Sequence, residues 1–215
     1  MRIYLSPSSQ NENPYSYGNV NEAEVCNRIA SYAYDALIRN GYECMVGGSN
    51  TTFQDRVKQS NDWEADIHIP IHTNAGGGDG TVVFCASQSV GNRYVKSVYE
   101  SVAKLSPGND DGIRYVNNLY EINHTNSICI YIECEFHDSP DLAKWIIENA
   151  KEIGETIAKG ICNADGKSYI DNSDSSMVKE IKYIVQAGAF TDLKNAKALV
   201  NRLSENGFDA IIKEI

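Results

Sequence analysis

His72, Glu133 and Glu22 have the side chains and the placement that metal-ion or proton-transfer chemistry would need. His72 lies in residues 65–78 (ADIHIPIHTNAGGG), where Ile67, Ile69 and Ile71 alternate with His68, Pro70 and His72. A period of two marks a pleated strand whose isoleucines face one packed layer. Both histidines share the other face, and His72 comes last, at the carboxyl end where open α/β sheets place functional groups. A strand histidine is either a hydrogen-bonded structural residue or a ligand. His68, deep in the strand, reads as the former. His72, beside Gly76, Gly77 and Gly78, which let a ligand or another backbone approach closely, reads as a metal ligand. Pro70 cannot donate to a ladder, so the strand is expected at a sheet edge or bulged there.

Glu133 ends the run Ile128-Cys129-Ile130-Tyr131-Ile132, which is apolar without alternation, the mark of a strand covered on both faces. A carboxylate at the end of a buried strand is placed for catalysis and for a raised pKa. Glu135 is expected to face away from Glu133 and reads as structural or as a supporting residue. His137 reads as a supporting residue, with a third metal ligand or a substrate contact as its other readings.

Glu22 belongs to a helix predicted over residues 21–40. Asn21 as N-cap and Glu24 make a capping box, and Gly41 supplies the left-handed stop. The apolar stripe is Cys26, Ile29, Ala30, Ala33 and Leu37, and Glu22 lies on it, one turn before Cys26. A carboxylate aimed at a core is costly unless it is paired or binds metal. Glu24 has the capping task, so the metal role falls to Glu22.

The elements that must position these residues alternate strand and helix. Short strands are predicted over residues 2–5, 43–46 and 81–86. Helices are predicted over 54–63, 92–105 and 139–161, the last opened by Ser139 and Pro140. Residues 118–122 read as extended. The order predicts an α/β fold, a mostly parallel twisted sheet flanked by helices.

Bulk properties narrow the function. The chain has 215 residues and a net charge of −10, which argues against nucleic acid and against an anionic membrane surface as partners. No apolar run reaches the length of a membrane span. Residues 1–7 read as the first strand rather than a signal peptide, so synthesis in the cytoplasm and release through a holin or by lysis are expected. The six cysteines form no Cys-x-x-Cys pair, which fits buried thiols better than a zinc ribbon or a disulfide framework.

Ile71-His72-Thr73-Asn74-Ala75 closely resembles the zinc-binding strand of N-acetylmuramoyl-L-alanine amidases of the amidase-3 type. The resemblance runs from about Arg2 to Ile161. It implies a zinc ion bound by His72, and the spacing from Glu22 to Gly41 is similar to that between the family's zinc glutamate and the glycine after its helix. Glu133-x-x-Phe136 is similar to the family's catalytic glutamate followed by phenylalanine. Asn118 to Ile122 resembles a Leu-Tyr-x-Ile segment near the family's substrate cleft, which implies substrate contacts at Leu119 and Tyr120 facing Asn74, Gly76 and Gly77. The departure lies in the loop after the first strand. The commonest form of the family carries a zinc histidine there, whereas Ser6-Pro7-Ser8-Ser9-Gln10 has none and resembles a divergent branch. Gln10 is then either the third ligand or a loop glutamine bonded to backbone.

Residues 1–163 are expected as the catalytic domain and 164–181 as a linker. Residues 182–215 read as strand, helix and strand, and resemble half of a SPOR domain, a ferredoxin-like β-α-β unit of a peptidoglycan-binding module. A unit of that size leaves strand edges open, so a homodimer through residues 182–215 is expected. The resemblance implies hydrolysis of the bond between N-acetylmuramic acid and L-alanine in peptidoglycan, with muropeptide stem and glycan strand as partners, in an autolysin or a phage endolysin. The alternative is a catalytically dead wall-binding protein.

Overall fold

The alternating stretch forms β3 (Ile67–Asn74), and its three isoleucines are fully buried. The computed structural model describes residues 1–48, 51–171, 188 and 191–205, in two units, Met1–Met177 and Val178–Ile215. The strands of the first unit are β1 (Arg2–Pro7), β2 (Glu43–Val46), β3, β4 (Val82–Cys85), β5 (Gly112–Tyr115), β6 (Ile128–Cys129) and β7 (Tyr131–Phe136). They form one sheet in the order β2-β1-β3-β7-β4-β5, with β6 pairing β3 beside β7. All pairs are parallel except β4 with β7.

The helices are α1 (Glu22–Arg39), α2 (Phe53–Asp62), α3 (Arg93–Leu105), α4 (Tyr120–His124), α5 (Pro140–Glu148) and α6 (Ala150–Ala164). α1 begins with the complete Asn21–Glu24 capping box and is followed by Gly41 at φ +80°. α1, α3 and α6 bury their apolar faces with the isoleucines of β3. α6 packs against both α1 and α3. A Cβ on Gly154 would meet the Ile29 carbonyl oxygen at 2.6 Å, and one on Gly160 would meet the Val98 Cα at 2.7 Å, so glycine at both positions permits the close packing. α2 and α4 lie on the histidine face, where Gln59 accepts from the Tyr4 hydroxyl and Glu121 bonds His68. Among the described residues no helix is long and apolar enough to cross a membrane. The cysteines are free, and all but the partly buried Cys44 are buried.

Several elements differ from the sequence reading, each for a local reason. β3 is an interior strand, not an edge. The His68 carbonyl accepts from Ile130 N–H, so the same side of Pro70 faces Ile130, and there the partner strand is split into β6 and β7. The missing donor is accommodated by a gap in the partner. β7 runs on past Glu133 to Phe136, which pairs with Asn74 of β3, and a shift in register between His72 and Asn74 adds one residue to β7 there and turns Glu135 away from Glu133. Residues 118–122 contain no strand. The turn of α4 buries the adjacent Glu121 and Ile122 together, which an alternating strand cannot do. The helix expected over 139–161 is two helices meeting at Asn149, where the backbone leaves the helical range (φ −106°, ψ +13°) while its N–H and Nδ2 both bond the Trp145 carbonyl, at 2.9 and 2.8 Å. β5 had no clear sequence signal.

The expected linker begins on residues that are fastened down. Asn40 Oδ1 accepts from Ile170 N–H at 2.8 Å, and Asp165 accepts from Tyr42 and Tyr94 hydroxyls at 2.9 and 2.6 Å. In the second unit α7 (Leu193–Glu205) forms where a helix was expected. The two strands expected on either side of it lie outside the described residues, Gly188 excepted.

Candidate metal and proton-transfer site

The site sits at the carboxyl ends of β3 and β7, where His72 is paired in register with Glu133. The strands are parallel neighbours, so the two side chains share a face one rung apart. The His72 ring stacks on Tyr131, two residues before Glu133, with centroids 4.6 Å apart. Glu22, at the start of α1, reaches the same point, and its Oε1 lies 2.8 Å from His72 Nδ1. A helix N-terminus favours a negative charge there. The loop after β1 supplies Gln10, whose Nε2 is 3.4 Å from His72 Nδ1. Asn13 Nδ2 donates to Gln10 Oε1 at 2.7 Å and to Glu22 Oε2 at 2.8 Å.

Burial dominates the electrostatics. It pushes the Glu133 carboxyl up to about 7, against the pull of His72 and with a further push from the Glu22 charge. Burial alone would also raise Glu22, but hydrogen bonds with His72, Asn13 and Ser8 hold it below the usual carboxylate range. Desolvation pulls His72 down, and the Glu22 bond with the charges of Glu133 and Glu22 overcomes it, leaving the imidazole more basic than usual.

The donor set fits a zinc ion. His72 Nδ1 faces an acceptor, Glu22 Oε1, and a donor, Gln10 Nε2, and one nitrogen cannot bond both. Glu133 Oε2 is buried with no hydrogen-bond partner. An imidazole nitrogen and a carboxylate oxygen in contact, beside a buried carboxylate with a spare oxygen, suit a borderline-soft divalent cation. Among the described residues no three of His, Cys, Asp or Glu converge, so an amide such as that of Gln10, or water, would complete the set.

The remaining expected residues divide. Leu119 and Tyr120 line a cavity of about 490 Å³ together with Ser8, Ser9, Gln10 and His72. Asn74, Gly76 and Gly77 are not part of its lining. Asn74 Oδ1 bonds Ala75 N–H, and the Gly76 and Gly77 N–H groups donate to Asp138 Oδ2 at 2.7 and 2.8 Å, so that carboxylate already fills the glycine loop. His68 is fully buried, stacked on Tyr4 and 2.8 Å from Glu121 Oε2, which also accepts from Ser6. Glu135 accepts from Gly80 N–H, Phe136 N–H and Ser106 Oγ. His137 bonds Thr73 Oγ1 at 2.9 Å and stacks on Tyr15, bracing the strand beside His72.

Sequence reasoning missed Asn13, Tyr131 and Arg56. Tyr131 was reachable, since strand parity puts it on the face of Glu133. Arg56 is fully buried in the cavity wall and donates to the Pro7 and Gly48 carbonyls and to Thr51 Oγ1, pinning the end of β1 where the Ser8–Gln10 turn begins. Nothing in the spacing of α2 distinguished it.

A mixed sheet with helices on both faces, carrying a His–Glu pair and a buried carboxylate at the ends of adjacent parallel strands, has the frame of a metal-assisted hydrolase. The model of the amidase-3 family, N-acetylmuramoyl-L-alanine amidase, matches residues 4–163, and the chain belongs to that family. The SPOR domain model matches residues 179–215. The chain is 22% identical, over 99% of its length and 84% of the relative's, to the sporulation-specific N-acetylmuramoyl-L-alanine amidase of Bacillus subtilis (strain 168). It is 26% identical, over the same shares, to the N-acetylmuramoyl-L-alanine amidase CwlM of Bacillus licheniformis. In fold it is similar to the catalytic domain of CwlV, an N-acetylmuramoyl-L-alanine amidase from Bacillus (Paenibacillus) polymyxa var. colistinus. There the TM-score is 0.67 at 17% identity, over 78% of this chain and 99% of that one.

Proposed function

We propose that this amidase hydrolyses the amide between the lactyl group of N-acetylmuramic acid and L-alanine in peptidoglycan, with Glu133 as its general base and His72 and Glu22 as its zinc-holding residues. The observation that carries the reading is Glu133 itself, paired in register with His72, with one enclosed oxygen unpartnered and its pKa raised to about 7. A base poised near the working pH can take a proton and give it back. Zinc bound at His72 and Glu22 supplies Lewis-acid polarisation of the scissile carbonyl and a more acidic water. Gln10, with its carbonyl oxygen turned from Asn13 toward the metal, is the candidate for a third protein donor.

Glu133 removes a proton from the attacking water as its oxygen bonds to the lactyl carbonyl carbon. It then passes that proton to the alanine nitrogen as the C–N bond breaks, so the products are a lactyl carboxylate and a free amino terminus. In the metal-free site Glu22 holds His72 through Nδ1, and Tyr131 backs the imidazole ring and keeps water from that side. The cavity lined by Leu119 and Tyr120 takes the substrate beside the scissile bond. Residues 179–215, which match the SPOR domain model, hold glycan strands, and pairing of two chains through residues 182–215 makes the protein a dimer.

Glu133→Gln tests the assignment. It keeps the volume and removes the base, so wall-clearing activity falls at least about 10²-fold while zinc content stays at the wild-type level. Near-normal activity in this variant would remove Glu133 from the mechanism.

A further inference from the structure

We propose that Asn13 is the positioning residue of the metal site, fixing with its amide group which oxygen Glu22 turns toward His72. This rests on the zinc reading of His72 and Glu22. A carboxylate only accepts, so the Asn13 atom 2.8 Å from Glu22 Oε2 is its NH₂. The same nitrogen lies 2.7 Å from the Gln10 side chain, so in the metal-free site Gln10 presents its carbonyl oxygen to Asn13 and its nitrogen to His72, and it would have to give up that bond to ligate a metal. Both amide orientations follow from donor and acceptor logic. With Oε2 bonded to Asn13, Glu22 offers Oε1 to the site, the oxygen that lies 2.8 Å from His72 Nδ1.

The backbone holds Asn13 in place for this task. Its carbonyl accepts from Glu22 N–H at 3.0 Å, which satisfies one of the orphan donors at the start of α1. The next residue, Pro14, bridges Asn21, the N-cap of that helix. The loop carrying Gln10 and the helix carrying Glu22 are thus joined at Asn13 by main chain and side chain together. Residues that orient metal-binding side chains typically change metal affinity 10–100-fold when removed.

The test is zinc affinity of the full chain by competition with a chromophoric chelator, for wild type, Asn13→Leu and Asn13→Ser, with the cobalt-loaded visible spectrum and the melting temperature of the metal-free protein as companions. Leucine keeps the bulk and deletes both donors. Serine is too short to reach both partners. The expected result is zinc binding weaker by about tenfold or more in both variants and an altered cobalt spectrum, with metal-free melting close to wild type in at least one of them. Zinc affinity and cobalt spectrum unchanged, or zinc bound more tightly, would overturn the assignment while leaving the metal reading standing. Weakening only in proportion to a lowered metal-free melting temperature would also overturn it, since that is what a purely structural residue does. If the wild-type chain takes up no zinc, the metal reading and this inference fall together.

Discussion

His72 and Glu133 are far apart in sequence and become neighbours because β3 and β7 run parallel in one register. That gives the site a chemical consequence at the scale of single residues. Glu133 is held at a folded pKa of about 7, above the ordinary carboxylate value, so its ionised form destabilises the metal-free fold. The sign follows directly. The protonated carboxyl is tolerated below the unfolded pKa, and stability is lost as pH rises through the folded value. Glu133→Gln should therefore stabilise the chelator-treated protein at pH 8 by on the order of 2 kcal/mol, with the gain vanishing below about pH 5. Urea melts at the two pH values check this, and an equal gain at both would contradict it. The two histidines should separate as well. His72→Ala should lose zinc and activity. His68→Ala should keep zinc and lose about 1–3 kcal/mol of stability, because Glu121 is left buried without its imidazole. Metal analysis with thermal melts decides, and loss of zinc from the His68 variant alone would show the assignment to be reversed. His72, Glu22 and Glu133 could be read from sequence because strand and helix periods dictate which way each side chain points. Asn13 could not, because a loop residue has no period.

The elements show the same division between what periodicity reports and what packing decides. α1 could be read down to its capping box because caps and stripes are local. The breaks were not. Pro70 sits inside the sheet because its partner strand opens a gap opposite it, and the long helix breaks at Asn149, where the backbone leaves the helical range. Neither event involves a change in apolar pattern. Close packing of α6 on α1 gives a prediction at this scale. Gly154→Ala puts a methyl 2.6 Å from the Ile29 carbonyl oxygen and 2.8 Å from Ala33 N, both rigid backbone atoms. It should cost about 1–3 kcal/mol in spite of alanine's better helix propensity. Chemical denaturation measures it, and a neutral or stabilising effect would mean that the helices separate freely.

At the scale of the whole molecule the proposed function gives the amidase-matching unit and the SPOR-matching tail separate tasks. The α/β class and the site's address at the strand ends were legible because apolar runs and turn residues recur along the first 160 residues. In the tail only α7 lies within the described residues, so the homodimer expected through residues 182–215 stands as a prediction. A chain ending at Met177 should keep hydrolysis of soluble muropeptides within a few-fold and lose binding to purified walls. Light scattering should show a dimer for the full chain and a monomer for the shortened one, and a monomeric full chain at micromolar concentration contradicts the dimer. Two tails on one particle would raise effective affinity for a polymeric substrate.

The identity of the bond cut is the central claim, and end-group analysis of digested walls addresses it most directly. Purified peptidoglycan incubated with the zinc-loaded protein should release new amino termini that label as L-alanine, with no new reducing sugar ends. The Glu133→Gln protein should release none. New amino termini on any other residue, new reducing ends, or binding to the wall with no release by the wild-type protein would contradict it.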